Sequence, residues 1–251
     1  MDVCLSIPGV GPWIKSLHSK TSSDNKHSDP GDNLNNFTEE RIFTAEELSS
    51  FKGDNGGPIY LAMLGQVFDV SRGVEYYAPG GGYAFFSGID GSRAFVTGEF
   101  TPEGLIDDIT GLSDQDYLGL KEWTEFYAKD YKYIGKLHGR YYDAEGRPTE
   151  YWHQVQQWIS TAESKKVEED QFREKYPQCN VEYKPETGSR VWCSKSSGGI
   201  HRDWVGVPRT LRSVAANNIR CACVDQEDLD DPLLSTYPDC PQDATSCKLS
   251  N

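Results

Sequence analysis

Six of the seven cysteines in this chain lie between Cys179 and Cys247, and no thiol separates Cys4 from Cys179. Sulfur confined to one end predicts two parts stabilised by different means. Cys179, Cys193, Cys221, Cys223, Cys240 and Cys247 are interleaved with Pro, Gly and Ser, which reads as a small disulfide-stapled unit made in an oxidising compartment. A zinc site is the rival use of these residues, with His201 as an added ligand, but the spacings fit no paired-knuckle pattern. Sequence alone does not fix the pairing. Cys221 and Cys223 are too close to suit each other, so each is expected to reach a different segment.

The whole chain of 251 residues contains 37% apolar side chains, low for one continuous core, so a compact unit with attachments is expected. The formal charge of -14, with no block of Lys and Arg, argues against a nucleic-acid partner. No apolar run of about 18 residues or more occurs, so no spanning helix is expected and the chain should be soluble. Met1 to Leu17 lacks a basic opening and is interrupted by Pro8, Gly9, Gly11 and Pro12, so no signal peptide is legible in it. Ser16 to Glu40 is polar, and residues 1–40 are expected to be disordered. The sequon Asn36-Phe37-Thr38 in that stretch is a glycosylation candidate at Asn36 and suits an exported protein.

Order is predicted to begin at Arg41. Thr44 and Glu47 have capping-box spacing for a short helix ending near Phe51. Ile59–Leu64 and Gln66–Val70 read as two strands joined by a tight turn at Gly65. Aromatic-rich sequence broken by Gly88, Gly91 and Gly98 suits brief helices lining a cleft. Ser113 caps a predicted helix over 114–129 with Leu120, Trp123 and Tyr127 as its apolar stripe. In the strand that follows, alternation places Tyr131, Tyr133 and Leu137 inward and Lys132 and Lys136 outward. Pro148-Thr149 opens a second long helix, over 148–176, with Tyr151, Val155, Trp158, Ile159 and Ala162 at helical spacing. That helix is expected to link a domain over 41–142 to a cysteine-rich unit over 177–251.

The segment VFDVSRGVEYYAPGGGYAFFSGIDGSRAF (67–95), with YKYIGKL (131–137), resembles the cytochrome b5-like domain of the membrane-associated progesterone receptor family. The resemblance implies an α+β fold with a haem cleft. Cytochrome b5 itself takes an axial histidine from a His-Pro-Gly-Gly turn, whereas this turn reads Ala78-Pro79-Gly80-Gly81. No histidine stands between His27 and His138 either, which removes bis-histidine, thiolate and His/Met ligation from within the module. Phenolate is a hard oxygen donor suited to ferric iron, and the motif position of the family's axial tyrosine is Tyr83. By the same match, Tyr77 is the tyrosine that hydrogen-bonds to the ligand and Tyr131 a third pocket tyrosine. Asp130 stands where a lysine precedes that tyrosine in the family. Phe85, Phe86 and Phe95, near Tyr83 in sequence, are candidate cleft walls. The Gly80-Gly81-Gly82 run lacks the endings of a phosphate cradle, and Asp90, Ser92 and Arg93 are read as local caps without chemistry.

Residues 188–209, GSRVWCSKSSGGIHRDWVGVPR, followed by Cys221-Ala222-Cys223 and the Cys240/Cys247 ending, are similar to the cysteine-tailed branch of that family. Its members are described as secreted haem-binding proteins that promote neuronal differentiation. The resemblance therefore implies a non-enzymatic signalling protein that binds ferric haem b, is secreted or luminal, and meets a cell-surface or extracellular partner. Three alternatives stand beside it: an electron-transfer or haem-donating partner of a monooxygenase, a peroxidase-like enzyme, and a haem-free interaction module.

Overall fold

A computed structural model describes residues 40–185, 188–213 and 218–249. The segment expected to be disordered, the Asn36 sequon and Cys4 lie outside the described residues. The described residues divide into two compact units, one ending at Glu163 and the other starting at Ser164.

The first unit is built on a four-stranded sheet of β1 (Ile42–Phe43), β2 (Tyr60–Met63), β3 (Gln66–Asp69) and β4 (Lys132–Leu137), in the order β1-β4-β3-β2. β2 and β3 form the predicted hairpin, with Met63 paired to Gln66 across Leu64-Gly65. Both turn residues have positive φ, 49° and 74°, the twist that two-residue hairpin turns require. Gly65 also has no room for a side chain, since a Cβ there would lie 2.7 Å from Cβ of Tyr141. Alternation along the hairpin sends Leu61, Met63 and Phe68 to one face, and Ala62 and Val67 to the other with Phe43 and Leu48.

Alternation does not survive in β4. Tyr133 pairs with Phe68 and Gly135 with Val67, so a bulge leaves Ile134 without a partner of its own. Ile134 and Leu137 consequently pack on the Phe43 face, while Tyr131 joins the opposite core. Tyr133 is 39% exposed, with its ring edge against Phe68 and its hydroxyl on Glu40. The expectation that Leu137 sides with the two tyrosines, all facing inward, is therefore corrected. So is the outward placement of Lys136, which pairs with Glu40 at 2.6 Å and donates to the Gly146 carbonyl at 3.0 Å.

Helices close the Phe68 face. Between α1 (Ala45–Ser49) and the long helices the helical pieces are short: α2 (Val74–Tyr77), α3 (Ala94–Thr97) and 3-10 turns at Asp54–Gly56, Ser71–Gly73 and Ala84–Phe86. α4 (Asp114–Asp130) starts at the capping box of Ser113 and Asp116, which satisfies free N–H groups at both residues. Leu120, Trp123 and Tyr127 are all buried, as their spacing predicts. α5 (Glu150–Lys175) begins beside Thr149, whose hydroxyl accepts from the Trp152 amide at 3.3 Å. Val155, Ile159 and Ala162 bury into the first core and Trp158 stacks on Tyr117 at 5.3 Å, so the first half of this helix is part of the domain as well as a link.

The second unit contains two three-stranded sheets. One comprises β5 (Asn180–Lys184), β6 (Gly188–Trp192) and β10 (Ser246–Leu249), the other β7 (Val207–Ser213), β8 (Asn218–Val224) and β9 (Leu234–Ser235). Cys179 bonds Cys221, Cys193 bonds Cys223, and Cys240 bonds Cys247. Neighbours on β8 thus reach different segments, as their closeness in sequence demanded. Cys179, Cys193, Cys223 and Cys247 form most of one buried cluster, in which Val191 is the other buried member. A second buried cluster of Tyr176, Leu211, Ala222 and Val224 adds apolar packing to the cross-links.

The bonds close loops of unequal length, with sequence separations of 42 for Cys179–Cys221 and 7 for Cys240–Cys247. Loop entropy then predicts that Cys179→Ser/Cys221→Ser lowers stability by about 2–5 kcal/mol, and that Cys240→Ser/Cys247→Ser costs about 1.5 kcal/mol less. Chemical unfolding of the intact chain measures both, and equal losses would show that loop length does not govern them.

Candidate functional site

The short helix α2 leads into the turn Ala78–Gly82, which folds back on itself through Gly81 N–H donating to the Ala78 carbonyl at 2.8 Å. The Tyr83 amide then donates to the carbonyl of Tyr76 at 2.9 Å. This closure returns Tyr83 to the helix it left, with its ring 6.2 Å from that of Tyr76 and 6.4 Å from that of Tyr77. Ser87 ties the far side of the loop by donating to the Tyr77 carbonyl at 2.7 Å.

Tyr77 is 1% exposed, and its hydroxyl lies 2.8 Å from that of Tyr127 on α4. The ring of Tyr131, at the end of the same helix, lies 6.0 Å from Tyr77 and 5.4 Å from Tyr127. The three tyrosines expected at the site, Tyr77, Tyr83 and Tyr131, therefore come together from three elements. Sequence reading missed two more, Tyr76 and Tyr127. Tyr127 was assigned only to the apolar stripe, although it precedes Tyr131 by one helical turn and so shares its side of the helix.

Burial raises the pKa of Tyr77 well above the ordinary phenol value, with Tyr127 and Tyr131 adding to it. Burial does the same for Tyr127, opposed by its bond to Tyr77. For Tyr131 burial is again the largest cause, offset by Tyr77 and by the Arg72 charge. At Tyr83 burial alone raises it. These phenols are therefore neutral at neutral pH unless a cation stabilises a phenolate. The Tyr76 hydroxyl is enclosed, and a hydrogen bond to the neighbouring Glu75 carboxylate, with burial, raises its pKa.

Among the phenylalanines, Phe85 packs edge-on against Tyr83 at 6.3 Å and faces Phe100 at 4.5 Å. Phe86 and Phe95 stack on each other at 3.9 Å beneath them, both buried. The apolar wall nearest Tyr83 is thus Phe85 with Phe100, a residue not singled out from sequence. At the other rim, Arg72 holds its guanidinium 5.1 Å over the Tyr131 ring. A separate cavity of about 670 Å³, lined by Lys121, Lys136, Tyr142, Trp152 and Glu163 among others, contains none of Tyr77, Tyr83 and Tyr131.

Residues 44–138 match the family model described as a cytochrome b5-like heme/steroid binding domain. A zebrafish (Danio rerio) neuferricin is 45% identical over 245 residues, covering 95% of this chain and 86% of that protein. The chain belongs to the neuferricin family. Neuferricins of mouse and human are 44% and 41% identical, each over 82% of this chain and 85% of the relative. A heme/steroid-binding domain of the cytochrome b5 type followed by a disulfide-bonded tail is therefore the architecture of this neuferricin-family chain. Among the described residues no helix is long and apolar enough to cross a membrane, and three disulfides fit an oxidising compartment.

The site is braced by a buried carboxylate that had been read as a local cap. Asp90 accepts from the Ser92 hydroxyl and amide, at 2.5 Å and 3.1 Å, and from the Gly65 amide at 2.8 Å, latching the hairpin turn to the segment before α3. Burial lifts its pKa to about 6, against the opposing pull of those bonds. A carboxyl raised in the folded state favours folding most below its ordinary pKa, and that contribution is lost as pH rises through the folded value. In this neuferricin-family domain, stability relative to Asp90→Asn should therefore fall by on the order of 3 kcal/mol between pH 4 and pH 7. Unfolding curves of the two proteins across that range test this, and a constant difference would remove Asp90 as the titrating group.

Proposed function

We propose that this chain binds haem b in the ferric state through the phenolate of Tyr83, without catalysing a reaction. The observation that carries the reading is the convergence of Tyr76, Tyr77, Tyr83, Tyr127 and Tyr131, in a domain with no histidine or cysteine from position 28 to 137. The donor set fits the group: hard oxygen atoms for ferric iron, an enclosed hydroxyl at Tyr76 and aromatic surface at Phe85 and Phe100. Haem supplies an iron centre whose preferred oxidation state is set by its ligand.

The chain's own residues divide the work. Tyr83 gives up its proton and donates the oxygen. In this reading Tyr77, held against Tyr127, stays protonated and polarises the phenolate, the role that outer hydrogen-bond partners play at metal sites. Phe85 and Phe100 keep water from the pair. An anionic oxygen ligand stabilises Fe(III), which favours holding haem over passing electrons. The disulfides and the family likeness of the tail support the rest of the reading: a protein exported to, or retained in, an oxidising compartment, meeting a cell-surface partner in signalling that promotes neuronal differentiation.

Hemin titrated into the intact chain should give a stoichiometric high-spin ferric spectrum, lost or strongly weakened in Tyr83→Phe. Because binding removes the Tyr83 proton, affinity should rise with pH by up to about tenfold per unit in the wild type and not in Tyr83→Phe. Weak, nonspecific association in the wild type would reject haem ligation and leave an interaction module built on the disulfide-bonded tail.

A further inference from the structure

Arg72 lies in the 3-10 turn Ser71–Gly73 that leads into α2. The backbone there presses directly on the phenol cluster, since a Cβ on Gly73 would lie 3.0 Å from both the Tyr131 hydroxyl and the Tyr77 ring. Arg72 is therefore carried to the rim by the same turn that positions Tyr77. Its guanidinium sits 5.1 Å over the ring of Tyr131 and 3.6 Å from the Asp130 carboxylate, and the side chain is 59% exposed.

That ion pair is longer than the 2.7–2.9 Å or so of a charge-assisted hydrogen bond. The fork of N–H donors is thus held in place by the ring, without being consumed by the carboxylate. The other arginines of the first unit are committed elsewhere. Arg93 donates to the carbonyls of Asp108 and Thr110, Arg140 to Asp107, Arg147 to Asp143 and Glu145, and Arg41 to Glu47.

We propose that Arg72 is the rim cation that receives a carboxylate of the bound porphyrin, held over Tyr131 and competed for by Asp130. The inference rests on the haem reading and adds a positioning residue to it. A macrocycle entering the phenol cluster edge-first keeps its carboxylates at the solvent rim. Planar, bidentate recognition of a carboxylate is what a guanidinium does better than an ammonium. Asp130 lowers the net attraction but keeps the arginine oriented when no ligand is present.

The test compares hemin with hemin dimethyl ester, whose carboxylates are blocked, in titrations of the intact wild type, Arg72→Ala, Arg72→Lys and Asp130→Asn. Arg72→Ala should weaken hemin about three- to tenfold, leave the diester unchanged, and keep the ferric spectrum, since the iron ligand is untouched. Arg72→Lys should recover part of the loss, and Asp130→Asn should tighten hemin about twofold while leaving the diester alone. Added salt should weaken hemin binding to the wild type more than to Arg72→Ala. Unchanged hemin affinity in Arg72→Ala, or an equal loss for the diester, would overturn the proposal while a Tyr83-dependent spectrum kept the haem reading. A wild type that forms no hemin complex would overturn both.

Discussion

The contact between the hydroxyls of Tyr77 and Tyr127, 2.8 Å apart and buried, is the joint on which the first unit's site depends. α2 is four residues long, far too short to hold itself as a helix, because nucleating the first turn costs more than its few hydrogen bonds return. Its position is set by what Tyr77 touches. α4 is a capped helix of 17 residues packed along a full stripe, so it offers a fixed point, and the phenol pair transfers that rigidity to the loop. Once Tyr77 is fixed, the Ala78–Gly82 turn has one anchored end, and the amide of Tyr83 closes it on Tyr76. Removing either phenol leaves the other hydroxyl buried without that partner, which costs about 1–3 kcal/mol.

The two units reach stability by opposite routes. In the first, large rings do the work: Phe86 stacks on Phe95 nearby in sequence, while Phe95 abuts Trp123 and Phe68 tilts against Tyr127 from elements far apart. Such packing tolerates a sheet of only four short strands, because aromatic side chains bury much area each. In the second unit one buried cluster is mostly cystine and another is made of Tyr176, Leu211, Ala222 and Val224, so cross-links supplement a small apolar core. The uneven placement of sulfur along the chain is the sequence trace of this division.

What was legible in the sequence was local. The Leu64-Gly65 turn, the Ser113 cap and the Leu120-Trp123-Tyr127 stripe each depend on spacing within a few residues, and each is found. What was not legible depends on partners distant in the chain. The bulge at Ile134 is created by the register of β4 against β3, and it reverses the side on which Leu137 falls. Asp90 looked like a local cap because its bonds to Ser92 are local, whereas its bond to Gly65 crosses 25 residues. Tyr127 was visible as an apolar stripe residue but not as the hydrogen-bond partner of Tyr77. Periodicity reports which side of a helix is buried, not what its polar atoms will meet. The disulfide partners belong to the same class, since pairing is a property of the folded sheets.

A phenol cluster is also an economical way to bury an iron porphyrin. Ferric porphyrin carries a single net positive charge at its centre, and one phenolate cancels it, so the ligated centre enters a low-dielectric interior as a neutral group. Reduction would leave that centre anionic, and desolvation penalises that state. Two neutral histidine ligands would invert the preference, leaving the ferric centre charged and the ferrous one neutral. On the proposed ligation by Tyr83, replacement of a histidine turn by Ala78-Pro79-Gly80-Gly81 therefore changes more than the donor atom. It moves the uncharged, easily buried state from Fe(II) to Fe(III) and leaves the charges to the rim, where Arg72, Asp130 and solvent share them.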